Sequence, residues 1–291
     1  MGELEPIVIL ELPRGRRLDL SSPVVMGVLN VTPDSFSDGG RHIGIDTALA
    51  AAYRMLDEGA AIIDVGGEST RPGADPVSVA EECDRVLPLI ERLCGERDCI
   101  VSIDTMKPEV MREACRAGAA IINDVNALQA PGAIEVAAAE NAAICLMHMQ
   151  GEPRTMQVAP VYASVVDEVG AFLGLRIAAC LAQGIPASRL LIDPGFGFGK
   201  TLAHNLELLA HLPSFQSLHL PILVGMSRKG MLGQLTGRAV VDRTAAGLAA
   251  ATLAVWNGAS IVRTHDVAAT VDAVKVADSV RRAAQAVSAP S

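Results

Sequence analysis

Aromatic residues are scarce in this chain: one Trp, two Tyr and five Phe make up 3% of its 291 residues. The core must therefore be aliphatic, and with 50% of residues hydrophobic there is enough Ala, Val, Ile, Leu and Met to build one. Such a core suits parallel strands covered on both faces. Positive charge is also short. Lys and Arg number 24 against 33 Asp and Glu, a formal net charge of −9. That balance argues against a broad nucleic-acid or anionic-membrane surface, while leaving room for a locally positive pocket. The six cysteines are scattered, with no C-x-x-C pair and no metal-ligand spacing, so they are expected as thiols of a reducing compartment. Residues 1–11 carry Glu3 and Glu5 where a signal peptide would be basic, and a cytoplasmic protein is expected. Only 244–262 approaches a membrane-spanning run. Asn257-Gly258 interrupts it, and it is expected as a buried helix, a turn and a buried strand.

What the chain does have is an internal echo. Gly59-Ala60-Ala61-Ile62-Ile63-Asp64 recurs as Gly118-Ala119-Ala120-Ile121-Ile122-Asn123 and as Gly258-Ala259-Ser260-Ile261-Val262-Arg263. Each copy follows an Ala-rich helical stretch, as if a left-handed glycine ended the helix and a short β-branched run began a strand. The spacings match multiples of about 30–35 residues, the length of one βα unit. Filling the gaps places strands at 24–29, 61–65, 99–103, 120–122, 143–147, 190–192, 222–224 and 260–262. Ser78 and Glu81 have the spacing of a capping box, Asp46 is placed to cap the helix that ends before Gly59, and Pro108 suits a first helical turn. Eight such units predict an α/β fold of the (β/α)8, or TIM, barrel type in one domain over 1–291. A short hairpin (1–22) would close the floor of the barrel (23–285), and a frayed tail (286–291) would follow.

Polar residues gather where each predicted strand ends: Asn30, then Gly66–Arg71, Asp104, Asn123-Asp124, His148, Asp193, Ser227-Arg228-Lys229 and Arg263-Thr264-His265. In a barrel these positions converge on one mouth. Taken singly, an Asp after a strand is more often a helix cap, and Asp46 and Asp64 are placed in that class. His204, His211 and His219 are expected on the surface or in packing. Two tempting motifs fail. Gly195–Thr201 lacks the first glycine of a phosphate loop, where Pro194 stands. Gly225–Lys229 would be a nucleophile elbow only with glycine at Lys229.

The remaining set suggests chemistry. Arg228, Lys229, Arg263 and His265 form a cationic end suited to phosphate or pyrophosphate. Asp104, Asn123 and Asp193 suit a flat heterocycle with N–H donors, Lys229 can donate to its oxo group, and Met147 and Phe196 offer apolar contact to the ring. The loops 31–44 and 66–76 are long and rich in Gly and Pro, as mobile lids often are.

These residues resemble a known family, the dihydropteroate synthases. The first signature is Asn30-Val31-Thr32-Pro33-Asp34-Ser35-Phe36-Ser37-Asp38-Gly39-Gly40, and the second is Asp64-Val65-Gly66-Gly67-Glu68-Ser69-Thr70-Arg71-Pro72-Gly73. Ser102–Thr105, Met147–Gly151, Asp193–Lys200, Gly225–Lys229 and Arg263–Asp266 also match, so the resemblance spans the whole barrel. It implies condensation of 6-hydroxymethyl-7,8-dihydropterin diphosphate with 4-aminobenzoate, Mg²⁺ as cofactor, and a homodimer. It also implies that Asn30 lies on the metal and that Asp104, Asn123, Asp193 and Lys229 hold the pterin. Thr70, Arg71, Pro72 and Ser227 would meet the aminobenzoate, Arg263 and His265 would take the diphosphate, and Met147, Phe196 and Gly225 would line the substrate site. Asp104, Lys229, Arg263 and His265 would be catalytic.

A diphosphate departs easily once metal and cations neutralise it, and a carboxylate such as Asp104 would stabilise the methylene cation left behind. An arylamine needs no strong base, so an SN1-like substitution resting on positioning is expected. Two other readings compete with this one. A methyltetrahydrofolate-dependent methyltransferase would need no diphosphate site, and a non-catalytic pterin-binding paralogue should lack Asn30, Thr70 or the cationic end.

Overall fold

A computed structural model of the chain describes residues 8–31, 40–69, 76–152 and 155–288. Strands β1 (Ile9–Glu11) and β2 (Arg17–Asp19) pair antiparallel as the expected hairpin. Then β3 (Val24–Asn30), α1 (Gly40–Asp57), β4 (Ile62–Gly66), α2 (Val79–Glu96), β5 (Ile100–Asp104), α3 (Pro108–Ala117), β6 (Ile121–Asp124) and α4 (Ala133–Ala139) form the first half of the barrel. The second half is β7 (Ala143–Met147), α5 (Val165–Ala182), β8 (Leu190–Asp193), α6 (Leu202–Ala210), β9 (Leu223–Gly225), α7 (Gly230–Thr236), α8 (Thr244–Trp256), β10 (Ile261–Thr264) and α9 (Val267–Ser288).

All eight predicted strands are present, in one parallel sheet of order β8-β7-β6-β5-β4-β3-β10-β9. The sheet closes between its ends through a parallel bridge of Ile192 with Ile222, where the Ile192 amide donates to the Pro221 carbonyl at 3.0 Å. Successive side chains alternate between the helices and the interior. Ile63, Val65, Val101, Ile103, Ile122, Ile144, Leu146 and Val262 join the outer core beneath the helices. Met26, Ile62, Ile121, Ala143, Leu191, Leu223 and Ile261 fill the interior floor, where Leu10, Leu12, Leu18 and Leu20 of the hairpin plug it.

Local signals behave as the chemistry requires in most places. Gly59, Gly118 and Gly258 all take positive φ, between 100° and 127°, at the turn from helix to strand. Ser78 Oγ accepts from the Glu81 amide at 3.2 Å, but the Glu81 carboxylate pairs with Arg85, so only half of the capping box forms. Pro108 occupies the first turn of α3. Asp46 is a correction: α1 already begins at Gly40, and Asp46 pairs across to Arg92 of α2 at 2.6 Å. That early start also shortens the loop expected over 31–44. The last helix runs to Ser288, past the expected start of the tail. The run 244–262 is helix, turn and strand as expected, but α8 is not wholly buried, because Leu253 and Trp256 stand about half exposed.

Candidate active site

The alternation that fills the floor with aliphatic side chains turns polar higher up the same inward rows. On β4 the row reads Ile62, Asp64, Gly66; on β5, Ile100, Ser102, Asp104; on β6, Ile121, Asn123; on β8, Leu191, Asp193; on β10, Ile261, Arg263. Strand register brings them together: Gly66 is level with Asn30 and Asp104, Asp104 with Asn123, Met147 with Asp193, and Gly225 with Arg263. Asp104, Asn123, Asp193 and Arg263, expected at strand ends, are thus strand residues themselves. The ladder holds their backbones, so few rotatable bonds separate each polar group from the rigid sheet.

Arg263 organises this layer. Its Nε donates to Asp64 Oδ2 at 2.6 Å, and a second guanidinium nitrogen donates to Asp104 Oδ2 at 2.7 Å. Asp64, fully buried, also accepts from Asn123 Nδ2 at 3.1 Å. Placing Asp64 among the helix caps is therefore corrected, because it lies inside the barrel and joins Arg263 to Asn123. Arg263 likewise departs from the cationic end expected at the mouth, since its head is turned inward onto two carboxylates. Burial disfavours its charge, but Asp64 and Asp104 more than offset that and raise its pKa. Burial pushes Asp104 up to about 7 while Arg263 pulls it down. One oxygen each of Asp64 and Asp104 is buried with no hydrogen-bond partner among the described residues. In such surroundings an N–H donor from a ligand is strongly favoured.

Asp193 Oδ1 accepts from the Gly195 amide at 2.7 Å. Burial raises its pKa, against the pull of Lys229. Lys229 donates to the Phe196 carbonyl and lies 4.4 Å from the centre of the Phe198 ring. Burial brings it down to about 8, with Asp193 opposing. The ring contact expected of Phe196 does not fall to it: its side chain is fully buried in the outer core, and only its carbonyl serves the site. Phe198, which the sequence did not single out, holds a ring against the lysine.

The rest of the cationic end is partly paired. Arg228, at φ 61°, donates to Asp266 at 2.8 Å, and its carbonyl accepts from Arg243 at 3.0 Å. His265 Nδ1 lies 3.1 Å from Ser227 Oγ, which also accepts from the His265 amide. His148 is buried against Phe172 and contacts Lys200, and burial drives it down to about 3. With its pKa held low, its Nδ1 can accept from the Lys200 ammonium. Asp124 accepts from the amides of Asn126 and Leu128 and so shapes its own turn. His204 caps α6 and packs on Tyr162. Thr70, Arg71 and Pro72 lie outside the described residues, as do 32–39 of the first long loop.

Asn30 is exposed at the end of β3. A side chain at Gly66 would come within 3.6 Å of both Asn30 Oδ1 and Asp104 Cβ, so that glycine keeps the space between them open. No group of three His, Cys, Asp or Glu able to hold a metal exists among the described residues. A lone amide oxygen nevertheless fits Mg²⁺, which keeps waters and takes oxygens from substrate phosphates.

Residues 26–265 match the model of a family described as pterin binding enzyme, and the chain belongs to that family. It is 53% identical over 265 residues to the dihydropteroate synthase of Escherichia coli (strain K12), covering 91% of this chain and 94% of the relative. A Yersinia pestis dihydropteroate synthase in a sulfonamide drug complex superimposes with a TM-score of 0.89 at 51% identity, over 94% of this chain and 99% of the other. The Xanthomonas albilineans dihydropteroate synthase with 4-aminobenzoic acid gives 0.87 at 51% identity, over 94% and 98%.

Proposed function

We propose that this chain is a dihydropteroate synthase, condensing 6-hydroxymethyl-7,8-dihydropterin diphosphate with 4-aminobenzoate to give 7,8-dihydropteroate and pyrophosphate. The observation that carries the reading is the polar layer itself. Asp104, Asn123 and Asp193 stand on strands β5, β6 and β8 with Lys229 beside Asp193, three side chains that can accept and one that donates. That pattern matches a pterin's ring N–H and amino groups and its oxo group. Relatives at about half identity carry the same activity in their names.

In the mechanism these residues support, Asp104, Asn123, Asp193 and Lys229 hold and orient the pterin, with Met147 and Gly225 lining its site. The C–O bond to the diphosphate breaks and its electron pair leaves with pyrophosphate. The resulting methylene cation is stabilised by the Asp104 carboxylate, which Arg263 keeps oriented and ionised. The amine nitrogen of 4-aminobenzoate then forms the C–N bond and releases its proton to solvent. No described residue is placed as a general base, and an arylamine needs none. Arg263 acts from beneath the pterin, which leaves His265, Ser227 and the loop residues Thr70, Arg71 and Pro72 for the diphosphate and the aminobenzoate. Asn30 would supply one oxygen to Mg²⁺, whose charge would help neutralise the departing diphosphate.

The chain works in the cytoplasm in this reading, in keeping with its free thiols. It acts as a homodimer, supported by the exposed apolar side chains Leu253 and Trp256 of α8 and Val276 and Val280 of α9. Among the described residues no helix is long and apolar enough to cross a membrane.

The deciding experiment is pyrophosphate release by purified protein. Release that requires both the amine and Mg²⁺, and that falls at least 100-fold (on the order expected for a lost charged contact) in Lys229→Ala, supports the synthase. Tight pterin binding without turnover would point to a binding-only role instead.

A further inference from the structure

Resting on the pterin-binding reading above, we propose that Asp64 determines specificity: it locks the Asn123 amide so that the pocket offers only acceptors along one edge and admits an amino heterocycle while rejecting its oxo counterpart. Asp64 belongs to a deeper row than the site. It is level with Ser102, whereas Gly66, two residues on, is level with Asp104. It therefore acts from below, through the residues above it, as a positioning residue.

The chemistry is asymmetric. An ionised carboxylate only accepts hydrogen bonds, whereas an amide can either donate or accept according to its rotation. Asp64 Oδ2 lies 3.1 Å from Asn123 Nδ2 and 2.6 Å from Arg263 Nε. Arg263 can only donate, so Asp64 Oδ2 is an acceptor in both contacts, and the NH₂ side of Asn123 is the one that faces it. The amide oxygen of Asn123 is then directed away from Asp64, and no described residue hydrogen-bonds to it. Without Asp64, nothing described would distinguish the two rotations, and Asn123 would suit donors and acceptors alike. The same arginine ties Asp64 to Asp104, so two of the acceptors on the pterin edge are oriented from one buried residue. A pocket built of oriented polar groups rejects an analogue of the wrong polarity far better than an apolar pocket can.

The test compares dissociation constants of pterin and lumazine, its 2-oxo analogue, by calorimetry on the full chain, alongside the KM for 4-aminobenzoate. Wild type is expected to favour pterin by at least about 100-fold. In Asp64→Leu that preference drops at least about ten-fold (about 1.4 kcal/mol), with the KM for 4-aminobenzoate unchanged. In Asp64→Asn, whose amide oxygen can still accept from Asn123, most of the preference returns. If Asp64→Leu does not fold, Asp64→Ser is read in its place. Equal weakening of both ligands, with the preference intact, would reduce Asp64 to a structural residue and overturn the proposal. Failure of the wild type to bind pterin would instead overturn the functional reading beneath it.

Discussion

The ammonium of Lys200 lies 2.9 Å from Nδ1 of His148, with the carbonyls of Gly195 and Phe198 at 2.9 and 3.0 Å. An ammonium has three protons, and each finds an acceptor in this cage. The cage ties the loop after β7 to the loop after β8, which approach so closely that a side chain at Gly195 would come within 1.8 Å of the His148 carbonyl. Burial lowers Lys200 to about 7, with the charge of Asp193 resisting. In Lys200→Met the acceptors are left unsatisfied, each at a cost of about 1–3 kcal/mol. Thermal unfolding is expected to move down by roughly 5–10 °C. An unchanged melting temperature would mean that the cage holds nothing.

The pH dependence of kcat/KM for the pterin diphosphate should be bell-shaped. Asp104 must be ionised to stabilise a cation, and burial has raised it to about 7. Lys229 must be protonated to donate and to carry charge, and burial has lowered it to about 8. Activity therefore rises through about 7 and falls through about 8. Arginine keeps its charge throughout this range, so Lys229→Arg should lose the alkaline limb whatever its absolute rate. Arg263→Met removes the cation that favours ionised Asp104 and should push the acid limb higher. The sign for stability follows from the same shift: what Asp104 contributes is full below its unfolded value of 3.8 and is lost as pH rises through about 7. A profile flat across pH 6–9 (about one unit either side of both groups) would remove both residues from these roles.

The two phenylalanines of the loop after β8 should separate cleanly. Phe196 is fully buried in the outer core, and Phe196→Ala should cost about 3–5 kcal/mol of stability. Phe198 is only half-buried and faces the Lys229 ammonium, so Phe198→Ala should leave the melting temperature close to wild type and raise the KM for the pterin substrate. Denaturation curves and steady-state kinetics on the pair read both effects, and a destabilised Phe198→Ala would contradict the division of labour.

Association should depend on α8 and α9. Leu253→Glu combined with Trp256→Glu places charges on the exposed apolar face, where a second copy would have to desolvate them. Light scattering should find wild type at twice the chain mass and the double variant at the single mass, with activity per chain within about three-fold of wild type, as expected for a surface change far from the barrel mouth. A wild type that is monomeric at every concentration would end the dimer proposal.

Much of the barrel was legible in the sequence. The repeated Gly-Ala-Ala-Ile-Ile-Asp segment, the Ser78 cap, the Pro108 start and the N-terminal hairpin depend on local chemistry, on glycine at positive φ and proline in a first turn, and each appears where expected. Boundaries shifted where a tertiary ladder overruled polarity, as when Asp104, Asn123, Asp193 and Arg263 extended strands that pattern alone would end earlier. Asp46 was misplaced because its partner Arg92 is far along the chain and nothing nearby marks it.

By itself, the sequence determined the alternation that makes β4, β5, β6, β8 and β10 apolar outside and polar toward the mouth, and hence which residues could meet there. It could not decide where long side chains point once they meet. Arg263 and Asp64 are 199 positions apart, and no local propensity distinguishes an arginine aimed at a phosphate from one folded inward onto two carboxylates. That choice is made by the closure of the barrel, which brings β10 against β3 and across from β4 and removes the water that would otherwise compete for both charges.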